Sequence, residues 1–116
     1  MVAQSCYCCH SVPNERLVNV GGQKAGTLDY KIVAWSQRKI LHNFVRSNGS
    51  TNDPSSRDRL RQRFIAGMIA DPEFSLQATA AANEKAEFGI ASAKRAARAA
   101  KRIAAAQTNC SKQPSR

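Results

Sequence analysis

Residues 71–106 read DPEFSLQATAAANEKAEFGIASAKRAARAAKRIAAA, and how this stretch is divided decides the fold. Asp71-Pro72-Glu73 has the form of a helix start: a capping carboxylate, proline at the first helical position and an acid in the first turn. The spacing therefore predicts one long helix over 72–106. Phe74, Ala78, Ala81 and Phe88 fall near one side, followed by Ile90 and Ile103. Alanine dominates beyond Ala78, a strong helix former that has little to bury. Lys94, Arg95, Arg98, Lys101 and Arg102 recur so as to occupy roughly a third of the helix circumference. Ala96, Ala100 and Ile103 lie opposite. This is a one-sided cationic ridge suited to phosphates, acidic lipid or haem propionates. Residues 107–116 are polar and include a proline, which predicts a flexible tail.

Upstream, a helix is expected over 55–70, with Ser55 and Asp58 as a capping box and Leu60, Phe64, Ile65, Met68 and Ile69 as its buried face. Arg57, Arg59, Arg61 and Arg63 crowd its first half. A further helix is expected over 29–47, begun by Thr27 or Asp29 and stopped by Asn48-Gly49. Val33, Ile40 and Phe44 line one face of it, and Trp35, His42 and Val45 make a second apolar face. Ahead of it, Val12-Pro13-Asn14 reads as a turn, Leu17 to Val20 as a short strand and Gly21-Gly22 as a reversal. The expectation is a mostly α protein: three helices after an irregular N-terminal segment, in a single domain over residues 1–106.

Hydrophobic residues make up 42% of the 116, but one Trp, two Tyr and four Phe leave a thin core for that length. The formal net charge of +10 favours an acidic partner: nucleic acid, an anionic surface or an acidic protein patch. No run is long and apolar enough for a transmembrane segment, and Met1 to Ser5 carries no signal-peptide pattern. No Gly-rich phosphate loop, G-x-S-x-G or H-E-x-x-H occurs, so an electron carrier or a binding protein is expected over an enzyme.

Near the start stands Cys6-Tyr7-Cys8-Cys9-His10, in which Cys6, Cys9 and His10 spell C-x-x-C-H. Two thiols at this spacing can add to the two vinyl groups of a porphyrin, and the next imidazole can face the iron. In these five residues the chain resembles the c-type cytochromes, either as a small protein or as a domain of a multihaem one. The resemblance implies covalent haem c on Cys6 and Cys9, His10 as proximal ligand, and electron transfer with an acidic redox partner or other cytochrome subunits. It also implies a periplasmic or otherwise extracytoplasmic location; without haem, the cytoplasm is expected. His42 is the candidate second imidazole, with Trp35, Leu41 and Val45 as apolar cover, and Met68 is its rival as sixth ligand.

The same residue types allow other readings. Thiolate and imidazole also hold zinc, although His42 and Cys110 are the sole later ligands and do not form a second knuckle. The cysteines could equally be free thiols, or one could pair with Cys110. The competing function is a basic helical module on RNA or DNA, using Lys94, Arg95, Arg98, Lys101 and Arg102, with the cysteines holding zinc or nothing. Few aromatics accompany the ridge, so reading of unstacked bases is not expected.

Overall fold

The computed structural model describes residues 2–11, 13–24, 30–39 and 54–110. His42, with Leu41, Phe44 and Val45, lies outside the described residues, as do the end of the expected 29–47 helix and the tail from 111. Among the described residues the chain is mostly α and holds no strand. The elements are α1 (Val2–His10), α2 (Glu15–Asn19), α3 (Ile32–Ala34) passing into a π-helical turn (Trp35–Lys39), α4 (Arg57–Ala81) and α5 (Glu87–Cys110). The short link after α4 returns the chain, so α4 and α5 form an antiparallel hairpin, against which α1, α2 and α3 pack.

The expected division at Asp71-Pro72 is not where the chain breaks. Pro72 lies inside α4, which continues to Ala81. A proline there removes one backbone hydrogen bond, the one to Met68, and crowds that carbonyl. Asp71 cannot cap a helix because its carboxylate is 2% exposed and held by Arg95 and Arg102. Ser75 then bonds back to the helix, its hydroxyl donating to the Asp71 carbonyl at 2.6 Å.

The break comes at residues 82–86, and α2 makes it. Glu15 accepts from the backbone N–H of Asn83 and of Glu84, each at 3.0 Å, and from the Asn83 side chain at 2.9 Å. Asn19 accepts from the Phe88 N–H at 3.0 Å, which satisfies a first-turn donor of α5. α2 itself replaces the expected strand: Asn14 caps it by accepting from the Leu17 N–H, Val20 is its C-cap, and two residues on the chain turns through Gly22 at φ 70°, a conformation open to glycine. Val18 is buried with Ala78 and Phe88 beneath this junction.

The irregular N-terminal segment is likewise a helix. Ala3, Cys6, Tyr7 and His10 recur at i, i+3, i+4 and i+7, and Ala3 and Tyr7 are buried. They join Tyr30, Ile32 and Ala70 in the larger core cluster, with Cys6, Val33, Trp35 and Phe74 against it.

The packing face of α4 also differs from expectation. Its buried residues are Gly67, Ala70, Asp71, Ser75 and Ala78, while Phe64, Ile65 and Ile69 are exposed, the last at 64%. On α5 the buried set is Phe88, Ala91, Ser92, Arg95, Ala96 and Ala99. Small residues on both helices let the backbones approach closely, so the alanines form the interface instead of a bland surface. Gly67 is required at its place: a Cβ there would stand 2.7 Å from Ile32 Cγ2. At the start of α4 the cap is Ser56, accepting from the Arg59 N–H; Ser55 is taken by Gln37 and Arg63.

Candidate functional site

Asp71 is the centre of charge in the fold. Arg95 Nε donates to its Oδ1 at 2.6 Å, and Arg102 donates to its Oδ2. Arg95 is 5% exposed, and its guanidinium also reaches the Tyr30 carbonyl and lies 5.4 Å from the Tyr7 ring centroid. The group carries two positive charges against one negative, so the buried carboxylate is fully compensated with a cation to spare. Burial, and then the Asp71 charge, pushes the Tyr7 phenol up to about 12. The Tyr30 phenol is also raised, first by burial and then by its bond with the Cys6 thiol.

This arrangement divides the cationic ridge. Arg95 is buried against Asp71, away from the open anion-binding face expected of it, whereas Arg102 pairs with Asp71 and keeps its side chain 42% exposed. Lys94, Arg98 and Lys101 remain exposed. They fall within about 60° of arc and span about 10 Å along the axis. The outward face around them carries Ile90, Ala97 and Ala105, with Glu87 two turns earlier as its acid. Across the hairpin, the start of α4 exposes Arg57, Arg59 and Arg61, and Asp58 lies 3.3 Å from Arg61. The basic residues thus form two groups, one at the start of α4 and one midway along α5, level with Asp71.

The pentad lies in α1, with Cys6, Cys9 and His10 on an arc of about 100°. Cys9 and Cys8 are exposed, Cys6 is half-buried, and all three are free thiols. The His10 ring stacks on Tyr30 at 4.4 Å and 9°, with Trp35 edge-on at 5.5 Å. A porphyrin bonded to Cys6, Cys9 and His10 needs open space along this arc, and the buried Tyr30 with the partly buried Trp35 fills its Cys6 and His10 side. Neither of the two apolar cavities beside α4 is lined by any of the three. The residues as packed therefore do not fit a covalent haem. Met68, the rival sixth ligand, stands in a cavity wall with Ile32 and Phe64. Among the described residues no three His, Cys, Asp or Glu side chains gather as a metal site, and the Cys110 side chain is outside them.

Glu15, Asn19 and Tyr30 organise the structure without being singled out by any motif, and Asp71 does so as an ion-pair partner instead of the expected cap. For Asp71 the sequence carries no distinguishing signal: it is one of eight acids, and the proline beside it gives it the form of a cap. No helix among the described residues is long and apolar enough to cross a membrane. No protein-family model matches the chain, and comparisons with curated proteins and with solved structures give no match.

Proposed function

We propose that this protein is a basic helical module that binds nucleic acid through its phosphates, without base readout. The observation that carries it is the division of the α5 cations. Asp71 holds Arg95 inside and ties Arg102 at the rim, which fixes the helix while Lys94, Arg98 and Lys101 face outward. The +10 chain supplies the long-range attraction, and Arg57, Arg59 and Arg61 add a second exposed basic group at the start of α4. No aromatic side chain shares the outward face of α5, so base stacking contributes nothing there.

The test is anisotropy of a labelled DNA duplex over a range of salt. Log affinity is expected to fall linearly with log salt, by about 0.9 per phosphate neutralised. Replacing Lys94, Arg98 and Lys101 together by Gln should flatten that slope by about one for each side chain in contact. Absence of binding at low salt, or a slope that the triple variant leaves unchanged, sinks the proposal. The cytochrome reading has the opposite signature: a coloured chain whose added porphyrin mass survives denaturation. A colourless chain of unmodified mass, with salt-dependent duplex binding, is the expected result.

A further inference from the structure

A cavity of about 380 Å³ opens between α3 and α4, in the volume range of small-ligand sites. Ile32, Val33, Phe64 and Met68 make its apolar wall. Its polar groups are all of one kind. Lys31 and Arg102 bring positive charge, and Tyr7 brings a phenol that stays protonated to about 12. Among the described residues, no carboxylate lines it. Asp71 stands behind Arg102 but is also paired with Arg95, so Arg102 can turn to an anion without leaving Asp71 unpaired. Past Phe64 and Val33, which both cavities share, a second apolar groove continues along Leu60 and Ile65 to Arg61. Gly67 keeps the first cavity open at its floor, because a side chain there would meet Ile32 and the Tyr7 hydroxyl.

We infer that this trough binds a medium-chain aliphatic carboxylate, its head between Lys31 and Arg102 and its chain over Phe64. An apolar channel with cations at its mouth matches an anionic amphiphile in both respects: the chain leaves water, and the head meets charge and a phenol donor. A neutral chain of equal length gains the first and not the second. Nucleic acid does not fit, since a phosphate backbone has no aliphatic segment to fill the wall.

The experiment is a titration of the full chain with decanoate and, separately, with decanol, read by amide and methyl NMR shifts. Saturable shifts at Val33 and Met68 with decanoate are expected, and decanol should bind about tenfold more weakly. Lys31→Glu is an exposed change that spares the fold; it should weaken decanoate about tenfold and leave decanol unaltered. Phe64→Ala, at a side chain already largely exposed, should weaken both. Unsaturable shifts, equal affinity for acid and alcohol, or indifference of decanoate to both variants would overturn the inference.

Discussion

Asp71-Pro72 and Asn83-Glu84 present opposite cases of what ends a helix. The first has every local feature of a helix start and lies inside α4. The second has weak local features and is where the hairpin turns. Distant groups decide both. At Asp71 two arginines from α5 take the carboxylate that would have capped. At Asn83 and Glu84 the carboxylate of Glu15, 68 and 69 residues away in sequence, takes the freed amides. Caps are contests between partners, and local spacing records one contestant.

The strongest way to break this comparison is to remove Asp71. Asp71→Ala leaves Arg95 buried without its counter-charge, and the expected loss is about 3–5 kcal/mol, read from urea unfolding. Adding Arg95→Met should return most of it, because an apolar side chain of similar volume needs no counter-charge. If the double variant is as unstable as the single one, the Asp71–Arg95 pair is not what carries α4 through position 72.

Pro72→Ala probes the same site with the opposite sign. The change restores an N–H for the Met68 carbonyl and relieves the ring clash, so stability should rise by about 1–3 kcal/mol in the same assay. A loss would mean that Pro72 sets a bend on which the Asp71 geometry depends. At the other breaker, Asn19→Ala removes the acceptor for the Phe88 amide and should cost about 1 kcal/mol, the usual worth of a side-chain cap. Hydrogen exchange at Phe88 should speed up while amides at Ala99 stay protected.

The helical class was legible, because α4 and α5 are built from residues that favour helices and the turn signals are few. α1 was legible in principle from the i, i+3, i+4, i+7 spacing of Ala3, Cys6, Tyr7 and His10, whereas the cysteine spacing points to haem attachment and not to a helix. The packing faces were not legible. Phe64, Ile65 and Ile69 look like core by size, whereas the hairpin buries Gly67, Ala70 and Ala78, which admit a closer approach. The basic ridge was legible as a ridge; its division was not, since Arg95 and Arg98 differ in role through Asp71, a residue on another helix.

The two sides of the comparison also separate by pH. Tyr7 reports on the Asp71 side, where burial and the Asp71 charge raise its phenol from 10.0 to about 12. A raised acid contributes stability that is complete below pH 10 and lost as pH climbs toward 12. Phenolate absorbance should therefore stay flat past the ordinary tyrosine range and rise together with loss of helix. A free titration near 10 with the helices intact would show that Tyr7 is not buried against Asp71.

Glu15 reports on the other side, and its effect should be the smallest. Its carboxyl is held below the usual 4.5, first by the Asn83 side chain and then by the backbone amides of Asn83 and Glu84. The sign is the reverse of Tyr7: the contribution is complete above 4.5 and disappears as pH falls below it. Because Glu15 sits in solvent, acid should loosen the turn at 82–86 without unfolding α4 at Asp71. The measurement is amide exchange followed downward from neutral pH, in the native chain and in Glu15→Gln. In the native chain, protection at Asn83 and Glu84 should decline below pH 4.5 while that of Ala70 holds. In Glu15→Gln, whose amide oxygen still accepts but does not titrate, the same protons should show weaker protection that no longer depends on a carboxyl. If the native chain loses protection at Ala70 and Asn83 together, the two helix breakers are one cooperative unit, and the distinction between them does not survive.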